Sequence, residues 1–135
     1  MTKEDLANLL NGREYGEEMT EVEARVAKEN GLVVVYGYSD DNMEFRGAID
    51  GEYGSYRGSA VFITKNGHLL DECHECDCDF CGYAEKKKQA RKIDALWDND
   101  GYSWTYQTDI PHATFDILED GEKYCRGIVF ELAAL

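Results

Sequence analysis

Leu32-Val33-Val34-Val35-Tyr36 is an unbroken run of aliphatic, largely β-branched residues ending in an aromatic. Such a run suits a central strand buried on both faces, which requires structure packed on either side of it. Punctuation brackets the run. Asn30-Gly31 before it is a helix stop that needs a left-handed residue, and Ser39-Asp40-Asp41-Asn42 after it is turn chemistry.

Upstream of the run the apolar spacing is helical. Thr2 to Leu10 predicts a short helix with Thr2 as N-cap and Asp5 closing a capping box, Leu6, Leu9 and Leu10 forming its apolar face and Asn11-Gly12 ending it. A second helix is predicted from about Thr20 to Lys28, capped by Thr20 and Glu23, with Val22, Val26 and Met19 as its buried stripe.

Downstream the period shortens. Met43 to Ile49 predicts a second strand and Tyr56 to Thr64 a third, with Asn66-Gly67 turning it into a short fourth. Tyr83 to Trp97 reads as a later helix with Ala84, Ala90, Ile93 and Trp97 inward. Trp104 to Thr108, His112 to Leu118 and Tyr124 to Leu132 then read as strands, the last two joined by Glu119-Asp120-Gly121-Glu122. The expected fold is α+β: two N-terminal helices and one later helix packed on a mainly antiparallel, twisted sheet. Met43 to Ile49 and Lys123 to Val129 also echo each other, each placing Arg-Gly before two aliphatics.

The 135 residues suit a single domain spanning 1–135, with 43% apolar and 31% charged residues, a globular composition. No apolar run reaches the ~20 residues that span a bilayer, and the acidic start MTKEDLANLL lacks a signal core, so a cytoplasmic location is expected in whatever cell makes the chain. The net charge of −14 disfavours nucleic acid and anionic membrane and favours a partner with a basic surface. Lys86, Lys87, Lys88, Arg91 and Lys92 oppose that trend; they read as a solvated face or as an anion site.

Cys73-His74-Glu75-Cys76-Asp77-Cys78-Asp79-Phe80-Cys81 holds two Cys-x-x-Cys pairs separated by one residue. Each pair is a metal half-site, because a tight turn aims both sulfurs at one ion. The gap between the pairs is shorter than in a zinc ribbon. Neighbouring carboxylates disfavour bare thiolates, and a cation would relieve that repulsion. Cys73, Cys76, Cys78 and Cys81 are therefore either zinc ligands, with His74 or Cys125 as further donors, or reduced and idle. No other cofactor is indicated.

Asp109-Ile110-Pro111-His112 sets a carboxylate and an imidazole on one turn, readable as an acid–base pair or as a turn held by the Asp109 side chain, with the His satisfying a backbone carbonyl. No phosphate loop, metalloprotease helix or nucleophile elbow is present, and a catalytic role is not expected. Arg46, Arg57 and Arg126, with Trp104, Tyr106 and His112, are the groups that could stack and clamp a nucleotide.

LNGREYG, ENGLVVVYGYSDDNMEFRGAID and WTYQTDIPHATFDILEDGEKYCRGIVF resemble a family of small acidic proteins from phages and prophages of Firmicutes, over nearly the whole chain apart from the cysteine loop. The resemblance brings no established activity and no residue roles. It implies a mobile-element setting, in which counter-defence or host takeover is the expected task and a housekeeping role in the element the plain alternative. Two mechanisms follow. In one, the chain is an inhibitor whose carboxylates, Asp40, Asp41 and Glu44 foremost, imitate a nucleic acid backbone in a basic groove of a host protein. In the other, a homo-oligomer sequesters a nucleotide signal. A small zinc-binding domain without assigned role is the third reading.

Overall fold

The computed structural model describes residues 1–39, 44–49, 52–57, 60–64, 69–71, 88, 90–97 and 104–135. They form an α+β fold. In chain order the elements are α1 (Lys3–Leu10), β1 (Arg13–Glu14), α2 (Glu21–Glu29), β2 (Leu32–Ser39), β3 (Glu44–Ile49), β4 (Glu52–Arg57), β5 (Ala60–Thr64), β6 (Leu69–Asp71), β7 (Ala90–Trp97), β8 (Trp104–Gln107), β9 (His112–Glu119) and β10 (Glu122–Glu131), with a closing 3-10 turn at Leu132–Ala134.

The strands make one curled sheet around β10. One edge of β10 carries β9 along most of its length, antiparallel. Its other edge is shared: the C-terminal half pairs antiparallel with β2, and Cys125 near the N-terminal end bridges in parallel to Trp104 of β8. Two arms leave that edge, β2-β3-β4 and β8-β7-β5-β6, and their outer strands β4 and β6 approach within 8 Å between Cα atoms. β1 adds a short parallel strand to the far side of β9.

Both helices form where the caps direct. The Thr2 hydroxyl accepts from the Asp5 amide at 3.1 Å and the Asp5 carboxylate accepts from the Thr2 amide at 2.9 Å. Thr20 and Glu23 repeat that box at 3.1 and 2.9 Å. Each reciprocal pair satisfies two amide donors that the first turn would otherwise leave without partners. Both helices end before a glycine in the left-handed region, Gly12 at φ +82 and Gly31 at φ +64.

The buried stripes differ in part from the expected ones. Leu6 and Leu10 are fully buried, but Leu9 is 55% exposed and Ala7 takes its place. On α2, Val22 is 56% exposed; Ala24 and Ala27 face the core, with Met19 buried just before the helix. Alanines let the helix axis approach the sheet closely. Val22 lies about 160° round the helix from Ala24, on the solvent side.

Strand β2 is buried as its composition requires. Val34 and Tyr36 share one face with Val129 of β10 and with Phe115 and Ile117 of β9, by register. This face meets the helical layer: the Tyr36 hydroxyl accepts from the Met19 amide at 3.0 Å and donates to the Glu17 carbonyl at 3.3 Å. The opposite face, with Val33, Val35, Ile128 and Phe130, is equally buried, and the curl brings Ile63 of β5 and Ile93 of β7 into the same core.

Two expectations are corrected. Ala90 to Trp97 is a strand, not the end of a helix; Ile93 is buried between half-exposed or exposed neighbours, and β7 pairs with both β5 and β8. Of the earlier part of that segment only Lys88 is described, in helical conformation. Tyr56 to Thr64 is not one strand. β4 ends at Arg57 and pairs with β3, whereas β5 starts at Ala60 and pairs with β6 and β7.

The Arg-Gly echo is not a symmetric repeat. β3 and β10 flank β2 on its two sides, but Gly47 lies opposite Val35 while it is Ile128, one residue past Gly127, that lies opposite Val35 on the other side. A one-residue offset puts the two glycines on opposite faces of the sheet. Gly127 instead seats the Phe115 ring: a Cβ added there would lie 2.1 Å from Phe115 Cζ.

Candidate functional site

Among the described residues two regions gather functional groups: the tip of the β9–β10 hairpin and a hollow where β7, β8 and β9 meet. The tip is a two-residue turn with Asp120 at φ 52 and Gly121 at φ 80, the doubly left-handed geometry that matches strand twist and selects Asp-Gly. Its neighbours are acidic. Glu119, Asp120 and Glu122 are exposed, and Glu14 of β1 joins them by accepting from the Gly121 amide at 3.2 Å. The Glu17 amide donates to the Glu14 carbonyl at 3.0 Å, closing the turn that follows β1.

This acidic end is held from two sides. The Tyr15 amide donates to the Leu118 carbonyl at 2.5 Å, and the Tyr15 and Tyr124 rings meet edge to face at 4.9 Å. Arg13 anchors β1 to α2: its Nη1 donates to Glu23 Oε1 at 2.9 Å, its Nη2 to Glu23 Oε2, and Nη1 also reaches the Glu18 carbonyl at 3.1 Å. Burial opposes the charge on Glu23, but the Arg13 guanidinium and the Thr20 amide outweigh it and hold the carboxyl below its ordinary value. The nearby cations Lys123 and Arg126, both exposed, lie 3.4 and 3.9 Å from Asp116. Among the described residues, no ion pair involves Glu14, Glu119, Asp120 or Glu122.

The hollow, of about 520 Å³, is lined by Lys92, Asp94, Tyr106, Gln107, Thr108, Asp109 and His112. It follows from the bend between β8 and β9, which Thr108 fixes by accepting from the Ile110 amide at 3.2 Å. His112 Nδ1 lies 2.7 Å from the Ile110 carbonyl. A carbonyl only accepts, so Nδ1 carries the proton and Nε2 of the neutral ring is an acceptor.

Asp109 is turned to Arg91, with which it makes a close ion pair, and that bond first of all lowers its pKa. The turn thus contains the His–carbonyl bond weighed from sequence, with Thr108 rather than Asp109 closing it. Lys92 pairs with Asp94 at 3.2 Å. The basic groups of β7 therefore already face carboxylates, as exposed pairs of small energetic weight.

The residues singled out from sequence are scattered. Tyr106 and His112 come together at the hollow. Trp104 stands on β8 opposite Cys125 and Trp97. Arg126 is on β10 opposite Asp116. Arg46 lies on β3 opposite Tyr36 and Ser55, and Arg57 on β4 opposite Glu44. Asp40 and Asp41 lie outside the described residues, as do Cys73, Cys76, Cys78 and Cys81. Cys125 is buried in the core beside Ile117. Among the described residues, no three His, Cys, Asp or Glu side chains converge as a metal site, and no helix is long and apolar enough to cross a membrane.

In sequence the hairpin acids read as a turn and not as a site. The available signal was an Asp-Gly tip flanked by glutamates between two strands. Their union with Glu14 depends on a parallel pairing across more than a hundred positions of chain, for which no local pattern exists. Compared with known protein families, with curated proteins and with solved structures, the chain matches none.

Proposed function

We propose that this is a protein of a phage or other mobile element that binds a host defence protein through its acidic surface, occupying a basic groove made for nucleic acid. The observation that carries the reading is the hairpin end, where Glu14, Glu119, Asp120 and Glu122 stand together on an anchored support in a chain of net charge −14. Spaced carboxylates on a rigid edge suit a groove that binds successive phosphates, because they attract cations without collapsing onto a single ion. Asp40, Asp41 and Glu44 carry the same carboxylate chemistry elsewhere in the sequence.

Host extract passed over the immobilised protein tests this. Retained proteins should bind nucleic acid and should elute with added duplex DNA. A variant with Glu119→Gln, Asp120→Asn and Glu122→Gln should retain them weakly, and so should one with Asp40→Asn, Asp41→Asn and Glu44→Gln. Retention that ignores both DNA and the two variants sinks the proposal. Nucleotide sequestration is the less supported alternative, because the hollow that unites Tyr106 and His112 presents cations already paired with Asp94 and Asp109.

A further inference from the structure

The outer edge of β9 is only half used. Its even-numbered residues direct their backbone groups away from β10: the Asp116 carbonyl accepts from the Gly12 amide at 2.8 Å, the Asp116 amide donates to Asn11 Oδ1 at 2.9 Å, and the Leu118 carbonyl accepts from Tyr15. Antiparallel pairing alternates, so the outward groups of Thr114 and His112 are the next two along the same edge. β1 stops short of them, pairing only at Ile117 and Leu118. Among the described residues nothing bonds to the Thr114 N–H and C=O on this side, and Thr114 itself is exposed.

Open donors and acceptors in strand geometry form a template for another strand. We propose that the His112–Thr114 edge of β9 accepts an extended basic segment of the partner as an added strand, in line with β1. The inference rests on the proposed reading of a basic partner and specifies how that partner is engaged. Charge selects the occupant: two copies of a chain carrying −14 repel each other, whereas a lysine- or arginine-bearing segment is drawn in. Main-chain bonds at Thr114 supply the geometry, and the acids of the hairpin end supply attraction farther along the same strand.

Amide exchange and binding with two probe peptides of equal charge test it at low salt: an alternating Lys-Val hexapeptide and the same hexapeptide N-methylated at every peptide bond. The Lys-Val peptide should bind more tightly and slow exchange of the Thr114 amide by about tenfold or more. The N-methylated peptide keeps the charge and lacks the amide donors a strand needs.

Thr114→Pro removes the outward N–H and leaves every β9–β10 bond in place, so it should erase the preference between the peptides. The wild-type exchange data stand even where that variant folds poorly. Equal binding of both peptides with unchanged Thr114 exchange overturns strand addition and leaves the charge reading intact. Binding of neither overturns the charge reading and this inference with it. Thr114 protection that rises with protein concentration in the absence of peptide overturns the choice of partner in favour of a second copy.

Discussion

Replacing Gly127 by alanine adds one methyl group where none fits. The ideal Cβ position lies 2.1, 2.4 and 2.7 Å from Phe115 Cζ, Cε1 and Cε2, far inside van der Waals contact. Phe115 is 2% exposed and its ring lies 5.9 Å from that of Tyr36, so it has little room to yield. Overpacking of this kind costs about 1–3 kcal/mol, while exchanging glycine for alanine inside a strand returns roughly 0.5–1 kcal/mol.

The expected net loss for Gly127→Ala is therefore about 1–2 kcal/mol, or several degrees in Tm for a domain of this size. Urea unfolding measures it, and a double-mutant cycle with Phe115→Ala sharpens it. Phe115→Ala alone should cost about 3–5 kcal/mol. The double variant should be more stable than the sum of the two losses by about 1–3 kcal/mol, because alanine at 127 then occupies space the ring has left. Additive losses, or a Gly127→Ala variant as stable as the parent, would refute the account of a ring seated on this glycine.

Further consequences follow from the helices and the Arg13 clamp. Leu6→Ala should cost about 2–5 kcal/mol while Leu9→Ala stays within roughly half a kcal/mol of neutral, read from the same denaturation curves; equal losses would mean that α1 presents a different face. Glu23→Gln should cost about 2–3 kcal/mol, since it leaves the largely buried Arg13 guanidinium with a weakened partner. The Glu23 carboxyl is held below its ordinary value, so its contribution is complete at neutral pH and is lost as pH falls through the depressed value. The gap between parent and Glu23→Gln should narrow in acid. A constant gap from neutral pH to the acid limit of folding would contradict the clamp.

Local chemistry was legible; partnership across the chain was less so. The two capping boxes, the stops at Gly12 and Gly31, the central strand at Leu32–Tyr36 and the Asp-Gly hairpin are all decided within a few residues, and they stand where the sequence placed them. The segment Ala90–Trp97 misled because its two alanines, Arg91, Lys92 and Leu96 favour a helix, while its alternation of Ile93, Ala95 and Trp97 with Lys92, Asp94 and Leu96 has a period of two. There tertiary pairing with β5 and β8 overrode propensity. Val22 and Leu9 misled for the opposite reason: large aliphatics on a helix read as inward, but contact with the sheet is made by alanines on α2 and partly so on α1.

The candidate site followed the same division. The bend at Thr108–His112 was legible as a turn, and its His–carbonyl bond was among the readings weighed. The ion pairs that occupy Arg91, Lys92, Lys123 and Arg126 were not, because each depends on which strand lies alongside. At the hairpin end Lys123 and Arg126 pair with Asp116, and among the described residues Glu14, Glu119, Asp120 and Glu122 are in no ion pair.

Displacement of DNA tests the central claim most directly. A host protein retained on the immobilised chain is loaded with fluorescently labelled duplex, this protein is titrated in, and anisotropy is followed over a series of salt concentrations. Mimicry predicts stoichiometric release of the duplex, with an apparent affinity that falls steeply as salt rises. A ternary complex in which the duplex stays bound, or release insensitive to salt, would contradict it.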